Sequence, residues 1–433
     1  MTTSVASFQT EVLVLGAGPA GMAAAAAAAQ HGKSVTVVDE NSRPGGQIWR
    51  GGPAQWRDRR AHALWNALDG NPLVRIVGGA RLVARPEART LLLESADGAL
   101  RIVWERLVIC SGARELLLPF PGWTLPGVTG AGGLQALIKG GLPLQGQRVV
   151  VAGSGPLLLA VADSVRRAGG QVLLIAEHRS TRELAGFFLR LAWRHPAKLR
   201  QALGLFWRLK RVPYLRGATV LAAAGRQRLH SITLGRRGRQ QEIACDWLAC
   251  GYGLLPNCEA ASLLGCAVRD AKVAVDEEQA TTCRDIWAAG EATGIGGVDK
   301  ALAEGRIAGL RAAGAAMLVT TPELRARAQA LAFAALLNRH FSPAPGLREL
   351  CKPDTLVCRC EDVRAGQLAG HGDWRSAKLL TRVGMGACQG RVCGAACQFL
   401  YGWQSPGLRP PLFPATASTL AALDAAWNKD AIE

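Results

Sequence analysis

The sequence has few of the groups that most enzymes use for proton transfer: seven His and three Tyr in 433 residues. It also has no apolar run both long and charge-free enough to span a bilayer. The opening "MTTSVASFQTEVLVLGAG" carries neither a basic n-region nor an apolar h-region ahead of a cleavage site. A cytoplasmic protein is therefore expected, with its twelve cysteines reduced or ligating something rather than paired. C-x-x-C occurs nowhere, which sets aside a disulfide reductase. No RNA- or DNA-binding motif is present either, so a nucleic-acid partner is not expected.

What is present is an apolar, glycine-rich chain: 49% hydrophobic residues and 51 Gly. That composition suits an α/β enzyme, and the length suits two or three domains. Charge is one-sided, with 51 Lys and Arg against 33 Asp and Glu, a net +18. The densest basic run is residues 178–216, where Phe187, Phe188, Leu191, Trp193, Leu203, Phe206 and Trp207 interleave with Arg and Lys. The pattern predicts amphipathic helices with a basic face, solvated or subunit-facing, with an anionic membrane surface as the alternative. Cys110, Cys245, Cys250, Cys258, Cys266 and Cys283 are scattered among apolar neighbours and read as small core residues.

Residues 11–40, "EVLVLGAGPAGMAAAAAAAQHGKSVTVVDE", read as strand, tight turn, helix and strand. Gly16, Gly18 and Gly21 form G-x-G-x-x-G: one glycine for the turn, one for backbone approach to a pyrophosphate, one for close helix–sheet packing. The alanine run is a strong helix former whose N-terminal N–H groups face the phosphates. The second strand ends on Asp39, placed to hydrogen-bond a ribose hydroxyl. Residues 146–178 repeat the plan with Gly153, Gly155 and a terminal Glu177, but Leu158 stands where the third glycine belongs. Arg179 follows without a clean 2′-phosphate pattern. The pattern leaves open NAD(P)H, another adenine nucleotide, or a vestigial fold at this second site.

Near the C-terminus, Cys358-x-Cys360 is followed after 27 residues by Cys388-x4-Cys393. Four thiolates in two close pairs can bind zinc or a [2Fe-2S] cluster. Structural zinc usually takes C-x2–4-C, and C-x-C is tight for it. Cys351 and Cys397 are left over as non-ligands, and Arg391 stands near enough to offset cluster charge.

Three further segments carry a resemblance. "DENSRPGGQIWR" places Arg43, Gly45, Gly46 and Gln47 just after the ribose acid, "ERLVICSGARELLLPFPG" contains a Ser111-Gly112 turn, and "DIWAAGEATGIGGVDKALAEGRIAG" contains Gly290 and Glu291. Together they resemble two-dinucleotide-binding-domain flavoproteins, which implies an α/β fold, FAD at the first site and an inserted NAD-type domain. Counting back from the glycine pair favours Asp39 over Glu40 as the ribose ligand. Where that family usually has Asp, this chain has Glu291, whose longer carboxylate still reaches a ribityl hydroxyl. "CRCEDV" and "GMGACQGRVC" resemble the small helical [2Fe-2S] module of bacterioferritin-associated ferredoxin. The expected domains are 1–140 with 251–318 for FAD, 141–250 inserted, 319–349 as helical linker and 350–433 for the cluster and tail.

With "AGGLQALIKGG", "GSGPLLLAVA" and "TRVGMGACQGRVCG", the whole chain looks like the alpha subunit of a heteromeric dehydrogenase family. That family comprises opine oxidases, D-hydroxyproline dehydrogenase and hydrogen cyanide synthase. The resemblance implies an electron-transfer role on behalf of a D-amino-acid-oxidase-like catalytic subunit. The same expectation includes a small ferredoxin-like subunit, a respiratory acceptor at the membrane surface and an FMN held between subunits. No His, Tyr or Lys set can be assigned as the acid/base for amine oxidation, which agrees with catalysis in a partner. A self-contained NAD(P)H-dependent reductase is the competing reading, kept alive by the second βαβ unit.

Overall fold

The computed structural model describes residues 5–315, 321–404 and 408–430. They form two compact units, one of Met1–Arg114, Leu255–Ala334 and Gly407–Glu433, the other of Glu115–Leu254 and Ala335–Pro406.

In the first unit, β1 (Ala6–Leu15), α1 (Pro19–Gln30) and β2 (Val35–Asp39) make a βαβ turn. The two strands pair in parallel, Val14 opposite Val37. They belong to a seven-stranded sheet ordered Val74–Gly78, β2, β1, Gly98–Ile109, Thr90–Ser95, Arg81–Glu87, with Ile286–Ala288 also paired to Gly98–Ile109. Why α1 is written in alanine becomes plain from its packing, because Pro19 to Ala29 are all buried. Its second neighbour is the helix Gly297–Ala312, where a Cβ on Gly305 would stand 2.2 Å from the Ala20 carbonyl oxygen. A Cβ on Gly309 would meet the Ala24 carbonyl oxygen at the same distance. Helix meets helix backbone to backbone, and any larger residue on either would force them apart.

The second unit repeats the βαβ turn with β3 (Arg148–Gly153), α2 (Leu157–Arg167) and β4 (Gln171–Glu177). Its five-stranded sheet runs Tyr214–Arg216, β4, β3, Trp247–Gly251, Val128–Gly130, every pair parallel. The basic run forms two helices, α3 (Thr181–Arg194) and α4 (Pro196–Arg208). Ser180 and Glu183 close a capping box at the start of α3, and Leu184, Phe187 and Leu191 face the core. Trp193, Leu203 and Trp207 instead face solvent, at 81%, 56% and 71% exposure.

The helix α5 (Thr321–Phe341) covers the expected linker, whose residues 319–320 lie outside the described set. After it comes a small fold built on the hairpin of Leu356–Cys358 and Val363–Arg364 and on helices Trp374–Thr381 and Cys393–Tyr401. Val357, Leu368, Trp374, Val383 and Trp403 form its core. Trp123 donates to the Leu356 carbonyl at 2.6 Å, so this fold is packed into the second unit rather than standing as a separate body.

Two boundaries move from the sequence-based expectation. Residues 115–140 join the second unit because the strand Val128–Gly130 pairs with Trp247–Gly251. Residues from 407 onward join the first, where Leu412 donates to the Val83 carbonyl and Thr416 caps onto Glu94. Strand pairing and capping over long sequence separations are invisible to local pattern, and both shifts arise from them.

Candidate functional site

The first glycine turn is open on the side where a ligand would lie. A Cβ on Gly21 would stand 1.7 Å from the Gly16 carbonyl oxygen, so that position tolerates nothing larger. A Cβ on Gly18, whose φ is an ordinary −76°, would meet only the Cα of Gly46 at 3.8 Å. Gly45 donates to the Ala17 carbonyl at 2.8 Å, which lays the glycine pair against the turn. At the end of β2, Asp39 accepts from Ala17 N–H at 2.6 Å and from both Asn41 N–H groups, while Glu40 is exposed. Arg43 reaches the Gly51 carbonyl at 3.2 Å and Gln47 accepts from Arg50, so both order the loop after the glycine pair. Ser111 Oγ donates to the Asn257 carbonyl at 2.6 Å, and Gly112 accepts from Asn257 N–H.

The closing turn of this cradle contains Gly290 and Glu291. Glu291 Oε1 accepts from Gly297 N–H at 2.6 Å and Gly296 N–H at 3.3 Å. Its other oxygen, Oε2, is buried and has no hydrogen-bond partner among the described residues. Burial pushes the Glu291 carboxyl above its ordinary range. A buried orphan acceptor beside an open glycine cradle is satisfied by a ligand hydroxyl, so the residues present fit a dinucleotide's sugar chain. The turn is propped by two residues that local pattern did not single out. Lys300 Nζ donates to the Gly290 carbonyl and to Thr293 Oγ1, each at 2.7 Å, and pairs with Glu304 at 2.6 Å. Their i,i+4 spacing was visible; their complete burial was not.

The second glycine turn differs. Gly155 has φ of +100°, and a Cβ there would meet the Phe341 ring, with Cγ at 3.3 Å. Glu177 is fully buried and takes Gly155 N–H at 2.9 Å, Arg179 N–H at 2.9 Å and the Tyr214 hydroxyl at 3.2 Å. Arg179 pairs with Glu183 at 2.9 Å and donates to the Ser342 carbonyl. Leu158 is accommodated because its neighbour on the adjacent strand is Gly251, where a Cβ would lie 3.2 Å from Leu158 Cδ2.

Cys358, Cys360, Cys388 and Cys393 are brought together. Cys393 lies beside both Cys358 and Cys388, and Cys360 lies beside Cys388. Cys393, then the backbone N–H groups of Gly384, Glu361 and Cys360, hold the Cys358 thiol down to about 6. Cys393, with Val392 N–H, Cys360 and Gly390 N–H, holds Cys388 down to about 4. Among the described residues no three His, Cys, Asp or Glu side chains converge on a single ion position, and the sulfurs meet pairwise. The loop between them is glycine-rich because Trp374 and Cys360 lie against it. A Cβ on Gly384 would stand 2.5 Å from the Trp374 ring, and one on Gly386 2.3 Å from Cys360 Cβ. Arg391 donates to the Cys388 carbonyl at 3.3 Å. Cys397 is wholly buried, its thiol pushed up to about 12 by burial, and Cys351 is pushed up to about 11. Of the six scattered cysteines expected in the core, Cys110, Cys245, Cys250 and Cys266 are buried, whereas Cys258 and Cys283 are only half-buried against it.

A pocket of about 270 Å³ adjoins the cysteine loop, with Glu115, Phe120, Trp123, Thr129 and Arg359 in its wall. Glu115, unremarkable in sequence, accepts from Gly132 N–H at 2.7 Å and Gly133 N–H at 2.8 Å, capping the helix Ala131–Lys139. Arg359, between two of the four cysteines, lies over the Trp123 ring at 5.6 Å.

An open G-x-G-x-x-G cradle on the parallel part of a mixed sheet, closed by an acid with one buried oxygen and followed by a second βαβ unit, defines a dinucleotide-dependent oxidoreductase. The chain belongs to the pyridine nucleotide-disulphide oxidoreductase family, whose model matches residues 10–305, and is a FAD-dependent oxidoreductase. Within that family it is 32% identical to an opine oxidase subunit of Rhizobium meliloti, over 95% of this chain and 98% of that one. It is 30% identical to hydrogen cyanide synthase subunit HcnB of Pseudomonas protegens, over 89% of this chain and 90% of that one. In fold it is similar to L-proline dehydrogenase from P. horikoshii, with a TM-score of 0.68 and 19% identity over 96% of this chain and 80% of that one. Thioredoxin reductase of T. acidophilum follows at a TM-score of 0.54 and 19% identity, over 71% of this chain and 99% of that one. No helix among the described residues is long and apolar enough to cross a membrane.

Proposed function

We propose that the chain is the electron-transfer subunit of a heteromeric amine or imino-acid dehydrogenase of the opine, D-hydroxyproline or cyanide-forming type. It accepts electrons from a D-amino-acid-oxidase-like catalytic subunit, then passes them to a respiratory acceptor. FAD lies in the first cradle, its pyrophosphate over Gly18, its ribose at Asp39 and its ribityl chain at Glu291. Gly16, Gly21, Gly45, Gly46, Ser111, Gly112 and Gly290 shape that cradle. A [2Fe-2S] cluster sits on Cys358, Cys360, Cys388 and Cys393. A bound flavin exchanges electron pairs with one partner and single electrons with another, which is the chemistry a relay needs. An FMN between subunits and a small ferredoxin-like subunit complete the assembly, in the cytoplasm and against the inner face of the cell membrane.

The observation that carries this reading is the approach of four cysteines, drawn from two segments distant in sequence and met by backbone N–H groups, in the same chain as an open dinucleotide cradle. Relatives named as subunits of opine oxidase and hydrogen cyanide synthase support the division of labour. Two experiments test it. Replacing Cys388 and Cys393 together by Ser should remove iron and the long-wavelength absorption while leaving FAD bound; retained iron would refute the ligand assignment. Anaerobic NADH or NADPH added to the purified chain should leave the flavin band unbleached, although dithionite reduces both centres. Rapid bleaching would favour a self-contained reductase.

A further inference from the structure

The two glycine turns of this chain are an internal control for each other. Over Gly18 a Cβ would meet only the Gly46 Cα, at 3.8 Å, whereas over Gly155 it would meet a phenyl ring, with Phe341 Cγ, Cδ1 and Cβ at 3.3, 3.5 and 3.6 Å. The ring is fixed from behind, since Phe187 meets Phe341 edge-on at 4.8 Å between centroids. Phe187 also packs against His340 at 5.6 Å, and His340 Nε2 lies 2.9 Å from Arg190. The acid that ends the second strand does not distinguish the two turns, since Asp39 accepts from Ala17 and Asn41 as fully as its counterpart does. Glu177 offers its oxygens to Gly155, Arg179 and Tyr214, and Ser154 N–H donates to the Gly251 carbonyl at 2.8 Å. The Arg179 guanidinium, two residues beyond Glu177, is held by Glu183 and the Ser342 carbonyl.

A pyrophosphate is dianionic and needs backbone N–H groups and water; an aromatic ring in its place offers neither. We propose that the second crevice is an intramolecular dock that takes the end of α5, with Phe341 as its ligand, in place of a nicotinamide nucleotide. The dock fixes the segment that leads into the cysteine fold. The α5 terminus and the crevice lie in the same unit, so the contact is part of one packed body. This holds whether or not the relay reading is correct.

The test uses the FAD-loaded full chain and ADP, the half shared by NADH and NADPH, as probe. Titration calorimetry up to about 1 mM ADP should show no binding by the parent chain. Phe341→Ala should speed tryptic cleavage within residues 335–350 by about tenfold, because the segment is released from its dock, and Phe341→Leu should stay near the parent rate. ADP binding gained by Phe341→Ala would show in addition that the uncovered turn keeps nucleotide affinity, and supports the dock. Micromolar ADP binding by the parent chain, or unchanged cleavage in Phe341→Ala, overturns it. Should Phe341→Ala not fold, Phe187→Ala removes the ring behind Phe341 and is read by the same criteria. Flavin bleaching by NADH in a chain that binds no ADP would refute the relay and leave the dock standing.

Discussion

Lys300 Nζ lies 2.6 Å from Glu304 Oε2, one helical turn apart, with both side chains almost wholly buried. The same carboxylate oxygen accepts from Gly290 N–H at 3.0 Å and from Thr293 Oγ1 at 2.7 Å. Burial pushes the Lys300 ammonium below its ordinary range, and the Glu304 carboxylate opposes that shift. The pair therefore holds the Gly290 turn, and through it Glu291, by a network whose members each depend on the others.

Lys300→Met leaves the buried Glu304 Oε2 without its ammonium, with only the Arg327 guanidinium, 3.7 Å from Oε1, as remaining counter-charge. The expected cost is about 3–5 kcal/mol in denaturant unfolding, with flavin lost during purification. Lys300→Met combined with Glu304→Leu should cost clearly less than the sum of the single changes, since neither member of the pair is then left buried without the other. Strict additivity in that cycle would mean that the two side chains do not act as a pair.

Gly18 and Gly21 should fail in different ways although both belong to one motif. Gly18→Val leaves a fold with little to collide with, because its φ is ordinary and the nearest atom is 3.8 Å from the added Cβ. FAD content should fall by about tenfold or more with near-native circular dichroism, as the side chain fills the pyrophosphate position. Gly21→Val drives a Cβ into the Gly16 carbonyl and should destabilise the fold itself by about 1–3 kcal/mol or more. Normal flavin content in Gly18→Val would refute the placement of FAD.

Asp246 accepts from Arg148 N–H at 2.8 Å and pairs with its guanidinium at 2.9 Å, tying the start of one strand to that of its neighbour. The Arg148 guanidinium holds the Asp246 carboxyl below its ordinary value of 3.8. A depressed folded-state value means that this stabilisation is full above the unfolded value and is lost as pH falls through the folded one. Asp246→Asn should therefore melt about 1–2 °C below the parent at neutral pH, and the gap should close below about pH 3.8. A gap that stays constant down to acid pH would show that the charge contributes nothing.

Much of this molecule is legible in local pattern because its demands are local. A turn that needs Gly at three set offsets, an alanine helix confined on several sides and an acid ending a buried strand are all written within thirty residues. The C-x-C and C-x4-C spacings are equally short-range. The two boundaries that moved, at 140 and at the C-terminal tail, are set instead by strand pairing and capping across the chain.

The sequence by itself determined that the chain contains two dinucleotide-type turns and two close cysteine pairs, since these rest on short-range spacing alone. Only the tertiary structure decided what lies over each turn. Phe341 gives no local sign that it will cover Gly155, and Lys300 gives none that it will be buried against Glu304. The glycines of the cysteine loop acquire their reason from the Trp374 ring. These contacts join residues far apart in sequence or depend on burial, and both are properties of the packed chain rather than of any stretch of it.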